Sequence, residues 1–249
     1  MRKGFTRSEL LDVFERLGEK LPCKMTVYLL GGGAMAFRNQ KNATKYLDLV
    51  FKDKKDFESF SAALSVSGFL ESLKVEAAYE EMKAAGIWED REGFRFDLFV
   101  KTVCGGLSLT PEMASRSTLL RACGKLEVRL VSNEDVILFK GITERIDDAS
   151  DIAAIIRSSD VSWETVFEEC AAQSRNRPWF GALYNKFKEI EEKFGITVPI
   201  TRKLRKLDRS AALKEALARR IKAGKSPKAA AAELEKMGFK KKEIERAMH

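Results

Sequence analysis

The stretch that most limits the fold of this chain runs from Tyr28 to Phe51, Y-L-L-G-G-G-A-M-A-F-R-N-Q-K-N-A-T-K-Y-L-D-L-V-F. Met25 to Leu30 reads as a buried strand, and it ends directly on Gly31, Gly32 and Gly33. A short helix follows the glycines, and N-Q-K-N-A-T breaks its pattern from Asn39 onward. The next apolar run, Leu47 to Phe51, carries one aspartate, Asp48. Gly31, Gly33 and Ala36 satisfy the pattern G-x-G-x-x-A. The spacing argues against that reading, because a parallel crossover needs a connection of roughly a dozen or more residues, usually a full helix. Whatever fold forms must therefore place two strands close together across a short helix and a polar loop.

The remainder supplies elements to build on that pair. Leu10, Val13, Phe14 and Leu17 share one helical face over residues 6–20, and Thr6 with Glu9 fits a capping box. Phe57, Phe60, Ala63 and Leu64 predict a helix from Asp56 to Leu70, with Gly68 as a stop, and Val75 to Ala85 reads as a weaker helix. Ile87 to Trp88 and Phe94 to Val100 read as hairpin arms around E-D-R-E-G. In the second arm Phe94, Phe96, Leu98 and Val100 share one face, and Arg95, Asp97 and Phe99 take the other. Cys104 to Thr118 has no clear pattern, whereas Lys125 to Val131 alternates as a strand. Ser132 to Asp135 caps a helix predicted to reach Arg145, and Asp147, Asp148 and Asp151 cluster at the start of another. From Ser162 onward the chain reads as helical: Trp163–Gln173, then a helix opened by Pro178 and running to Phe194. Gly195 to Pro199 is the expected joint, followed by a helix with Leu204, Leu207, Ala211, Leu217 and Ile221 on one face. Ser226-Pro227 opens a further helix, Gly238-Phe239 closes it as a Schellman turn, and a short last helix follows.

Charge divides the chain. Of 45 Lys and Arg and 37 Asp and Glu, residues 201–249 hold 16 and 6, so the whole excess of positive charge belongs to the tail. The expected organisation is a core over 1–160, a helical extension packed on it over 161–199, and a basic helical module over 200–249. Arg202, Lys203, Arg205, Lys206, Arg219 and Arg220 are candidates for gripping the phosphate backbone of RNA or DNA. Phe239 is the one aromatic in that module, which disfavours a base-stacking surface, and a solvated helical face is the competing reading. Cys23, Cys104, Cys123 and Cys170 are scattered and the single histidine is His249, so neither a zinc site nor a Ser-His or Cys-His catalytic pair is expected. No apolar run approaches the ~20 residues that span a bilayer, and the N-terminus lacks the apolar centre of a signal peptide. The expectation is a cytoplasmic protein without a membrane partner.

Four segments in order carry a family resemblance: L-L-G-G-G-A, T-K-Y-L-D-L-V-F, F-R-F-D-L-F and S-N-E-D-V-I-L-F-K-G-I-T-E-R-I-D-D-A-S-D-I. Over roughly residues 5–160 the chain resembles the nucleotidyltransferase superfamily that includes DNA polymerase β. The resemblance is to the small, toxin–antitoxin-like prokaryotic branch that contains the AbiEii-type toxins and their uncharacterised archaeal and bacterial relatives. The resemblance implies an α/β (α+β) fold, a mixed sheet wrapped by helices, to which the helical pattern beyond Ser162 adds an all-helical C-terminal extension. It further implies an enzyme that moves a nucleoside monophosphate from an NTP to a hydroxyl. Gly31, Gly32, Thr44 and Lys140 would then bind the nucleotide, and Asp48 and Asp97 would hold Mg2+ and share catalysis with Lys140. Arg145, Asp148 and Asp151 would support them. Two metals suit this chemistry, one lowering the pKa of the attacking hydroxyl and one neutralising the triphosphate. The departure is Tyr46, which stands where the first of three carboxylates belongs; a neutral phenol is a poor magnesium ligand. A degenerate member that binds nucleic acid or a partner is therefore the alternative reading. On residue chemistry alone, Lys140 is equally a solvated helix lysine, Asp97 a structural residue, and Arg145 with Asp148 a structural ion pair.

Overall fold

The computed structural model describes residues 5–44, 46–72, 84–103, 106–143, 145, 147–174 and 178–248. Among them the fold is mixed α/β, with eleven helices, a mixed seven-stranded sheet and a small two-stranded one. The first part runs α1 (Arg7–Lys20), β1 (Met25–Leu30), α2 (Gly31–Phe37), β2 (Tyr46–Phe51), α3 (Lys54–Val66), β3 (Leu70–Glu71), β4 (Gly86–Glu89) and β5 (Arg95–Val100). It continues with β6 (Thr102–Val103), β7 (Leu107–Ser108), α4 (Pro111–Arg116), β8 (Thr118–Cys123) and β9 (Leu126–Leu130). The helical part comprises α5 (Asn133–Gly141), α6 (Asp148–Ser158), α7 (Trp163–Gln173), α8 (Phe180–Phe194), α9 (Thr201–Lys222), α10 (Pro227–Lys236) and α11 (Lys241–Met248).

Strand order in the large sheet is β3-β4-β5-β2-β1-β9-β8. The pair β1 and β2 is antiparallel, as the short α2 between them requires, so the crossover implied by G-x-G-x-x-A is absent. Both strands have parallel partners on their outer sides, β1 with β9 and β2 with β5. Strands β1 and β2 are buried almost throughout, which accounts for their near-continuous apolar sequences, whereas β9 alternates L-E-V-R-L with its charged residues half-buried. Phe51 and Phe96 lie 5.3 and 5.9 Å from Phe60 of α3, and Phe96 lies 6.2 Å from Phe14 of α1, so these helices cover one face.

Several local signals act as expected. The Thr6–Glu9 capping box forms, Ser162 caps α7, and Ser226 with Pro227 opens α10. The α10 helix ends with Gly238 at φ 91° and the Phe239 amide donating to the Leu234 carbonyl, a Schellman bond. Other boundaries differ. The third helix spans Lys54–Val66, begun by the Asp53 side chain, and Leu70 belongs to a strand instead. The helix expected to reach Arg145 stops at Gly141, and α8 begins at Phe180, with Trp179 as its N-cap. Most of the helix expected over 75–85 lies outside the described residues. The unpatterned stretch before Thr118 contains α4, which Thr110 caps with Pro111 at its first position.

The main hydrophobic cluster runs from Phe5 to Leu204 and includes Val166, Leu183, Phe187 and Ile190 of α7 and α8. A second, small cluster of Leu213, Leu217, Ala230, Leu234 and Ile244 holds the last three helices together. The change of core therefore falls inside α9, between Leu204 and Leu213. That helix buries one side early and another side late, so the single apolar face expected along it breaks up and Ile221 is exposed.

Candidate functional site

Strands β2 and β5 run side by side in the register Tyr46↔Arg95, Leu47↔Phe96 and Asp48↔Asp97. Leu47 and Phe96 take the face toward α1 and α3. Alternation sends Tyr46, Asp48, Arg95 and Asp97 together to the other face, as a square of four side chains.

Arg95 donates from Nε to Asp97 Oδ1 at 2.6 Å and from Nη2 to Oδ2 at 3.2 Å, and both side chains are fully enclosed. Its guanidinium carbon lies 5.3 Å from the centre of the Tyr46 ring, within reach of the attraction between a cation and an aromatic face. Asp48 is 4% exposed and its Oδ1 has no hydrogen-bond partner among the described residues. Burial first, and the negative charge of Asp97 second, push its pKa up to about 7 against the opposing pull of Arg145, Lys140 and Arg95. Gly31, at φ 61°, lies so near that a Cβ there would stand 2.2 Å from Asp48 Oδ2. On that side the glycine turn cradles the protein's own carboxylate. Thr44 is buried and donates its hydroxyl to the Tyr46 carbonyl at 2.8 Å.

Asp48 opens on a cavity of about 270 Å3 that Gly32, Lys41, Lys140 and Arg145 also line. Lys140 is buried and makes ion pairs at 2.7 Å to Asp148 and 2.8 Å to Asp151. Burial alone would depress its ammonium, but the two carboxylates outweigh burial and hold its pKa above the ordinary lysine value. Burial likewise pushes Asp148 upward, and Lys140 with Arg145 reverses the shift to leave it below the usual carboxylate range. Lys41 contacts both oxygens of Asp151 at 3.0 Å, and Arg145 Nε lies 3.3 Å from Asp148. The cleft thus gathers the glycine turn, Asp48, Lys140, Arg145, Asp148 and Asp151 as the sequence groups them. Its cations are held by its own carboxylates.

No family model matches the sequence, and no curated protein matches it. The chemistry of the site accordingly rests on these residues alone. A two-metal centre needs several carboxylates with open oxygens converging on one point. Both Asp97 oxygens accept from Arg95, position 46 offers a neutral phenol, and Asp48 is the carboxylate of this face left with an open oxygen. This donor set does not fit a pair of magnesium ions. Among the described residues no group of three or more His, Cys, Asp or Glu is arranged to hold a metal.

The tail candidates divide. Lys203 lies 3.4 Å from both Glu164 and the centre of the Phe167 ring. Arg219 pairs with Glu215 at 2.9 Å and Arg220 with Glu233 at 3.1 Å. Arg202, Arg205 and Lys206 have no such pair among the described residues. No helix among those residues is long and apolar enough to cross a membrane. Two residues of the cleft were not singled out by the sequence. Arg95 had a visible signal, since two residues along a strand it shares the face of Asp97. Lys41 had none, because it meets Asp151 across 110 positions of chain.

Proposed function

We propose that this chain is a nucleotidyltransferase-like protein that does not catalyse metal-dependent nucleotidyl transfer and acts by binding nucleic acid. The observation that carries the first half is the buried bidentate pair between Arg95 and Asp97, with Tyr46 against the guanidinium. A guanidinium that engages both Asp97 oxygens neutralises that carboxylate and competes with a metal for it. The ion pairs of Lys41 and Lys140 likewise leave the cleft poor in free positive charge for a triphosphate. The second half is supported by the tail, where 16 basic residues face 6 acidic ones, and Arg202, Arg205 and Lys206 are unpaired among the described residues.

The enzyme reading retains one favourable observation, the placement of Asp48 directly beside Asp97 on neighbouring strands. One experiment separates the two: titration of ATP and GTP with Mg2+, followed by a pyrophosphate-release assay, beside a fluorescence titration with duplex RNA. Binding to RNA that weakens steeply with salt, without magnesium-dependent nucleotide binding, is the expected result. Pyrophosphate release that disappears in Asp97→Asn would refute it.

A further inference from the structure

The loop from Gly195 to Pro199 joins α8 to α9, and with the first turns of α9 it encloses a cavity of about 580 Å3. Lys188, Arg202 and Arg205 bring three cations to its wall, beside the half-buried ring of Tyr184. Its carboxylate, Glu191, is already engaged. It accepts from the Thr201 hydroxyl at 2.9 Å and the Val198 amide at 3.3 Å, and pairs with Lys188 at 3.3 Å. Arg202 and Arg205 have no ion pair or hydrogen-bond partner among the described residues.

Arg202 stands where helix physics disfavours a cation. The partial positive charge of a helix N-terminus penalises a nearby cation by about 0.3–1 kcal/mol. Yet Arg202 and Lys203 fill the first turn of α9, which has no acidic residue and no capping side chain. Glu164 compensates Lys203 and the Glu191 carboxylate lies at the same helix start, whereas among the described residues the positive charge of Arg202 and Arg205 has no ion-pair partner. An anion in the cavity supplies one, receiving two guanidinium forks and facing the ammonium of Lys188.

We propose that this cavity is a phosphate-binding pocket, in which Arg202 and Arg205 are the principal contacts. The phosphate belongs either to the backbone of a nucleic acid or to a free nucleotide; only the first source rests on the nucleic-acid reading above. The test uses the full-length chain, a short fluorescein-labelled duplex RNA read by anisotropy over a range of salt, and 5′-AMP read by calorimetry. Both arginines are exposed, so Arg202→Ala/Arg205→Ala should keep the wild-type melting curve. The double variant should lose about tenfold in affinity per arginine for the bound probe. For RNA it should also lower the slope of log affinity against log salt by about two. Arg121→Ala, an exposed arginine of β8 paired with Glu15 and outside the basic tail, should leave RNA affinity within about twofold, as expected for a surface position.

Weakened RNA binding in the double variant supports the pocket with nucleic acid as its source. AMP binding that needs both arginines, in a protein that does not bind RNA, supports the pocket and refutes the nucleic-acid reading. RNA binding unchanged in the double variant, with no arginine-dependent AMP binding, overturns the pocket and leaves that reading standing. Absence of binding to either probe by the wild type overturns both.

Discussion

Replacing Asp48 by asparagine should make the protein more stable at neutral pH, and the gain should depend on pH. The carboxyl of Asp48 is buried beside Asp97, its Oδ1 has no partner among the described residues, and its pKa rises from 3.8 to about 7. The folded state therefore holds this proton more tightly than the unfolded chain does. Between about pH 4 and pH 7 the folded state carries the extra proton, so this group's contribution to stability falls as pH rises through that window. At about 1.36 kcal/mol per pKa unit, the shift corresponds to a cost on the order of 4 kcal/mol above pH 7. Asparagine preserves the shape and cannot ionise. Each kcal/mol moves the melting temperature of a chain of this size by about 2–4 °C.

The assay is a set of urea and thermal unfolding curves for wild type and Asp48→Asn from pH 4 to pH 8. The two proteins should be nearly equal in stability at pH 4, and the variant should draw ahead through pH 5–7. Taking the difference removes other titrations common to both, such as acid loss of the pairs made by Asp148. A gap that stays constant from pH 4 to pH 8, or a variant less stable at pH 8, refutes the reasoning and implies a donor to Asp48 within the fold.

Three further perturbations probe the same region and its supports. Gly31→Ala combines a left-handed backbone, worth about 1–2 kcal/mol against any other residue, with a Cβ 2.2 Å from Asp48 Oδ2. The loss should shrink in Gly31→Ala/Asp48→Ala, and additive losses in a double-mutant cycle would contradict the contact. Lys140→Met leaves Asp148 with Arg145 and Asp151 with Lys41 as remaining cations and should cost about 3 kcal/mol in urea unfolding, the low end of the range for a broken buried pair. An effect below 1 kcal/mol, the scale of exposed pairs, would place Lys140 in solvent. Arg116→Met should cost a similar amount, because Asp135 and Glu169 both pair with this guanidinium and are themselves buried. Asp135→Asn/Glu169→Gln in the same background should restore part of the loss.

What the sequence revealed follows physical lines. Elements announced by a cap at one end and a breaker at the other, such as α7 behind Ser162 and α10 between Ser226 and Gly238, were readable almost to the residue. The edge strand β8 was not. Its T-L-L-R-A-C does not alternate, because it pairs on one side only, is largely exposed, and shifts register between Leu119 and Arg121. The broken face of α9 was equally hidden, since a helix shared between two clusters has no single apolar stripe. In the cleft, Asp48 and Asp97 were brought together by the family resemblance and not by spacing, and the state of Asp97 depended on how a neighbouring side chain turned. Lys41 and Asp151 meet only through the tertiary fold.

The square formed by Tyr46, Asp48, Arg95 and Asp97 turns the sequence anomaly at position 46 into part of a pair. Register sets Tyr46 against Arg95, and the period of two sets Arg95 beside Asp97. A buried guanidinium needs a counter-charge and something to cover its face; Asp97 supplies the first and the Tyr46 ring the second. Desolvated contacts of a cation with an aromatic ring reach about 2 kcal/mol, so tyrosine is a suitable neighbour for Arg95 in its own right. Introducing an acid at position 46 therefore does not by itself create a metal site. In Tyr46→Asp, Arg95 gains a second carboxylate and still occupies Asp97. Only removal of the guanidinium as well, in Tyr46→Asp/Arg95→Leu, frees three carboxylates on one face. Magnesium-dependent ATP binding by Tyr46→Asp alone would mean that Arg95 yields readily, and that the block on Asp97 is weaker than its buried bidentate geometry requires.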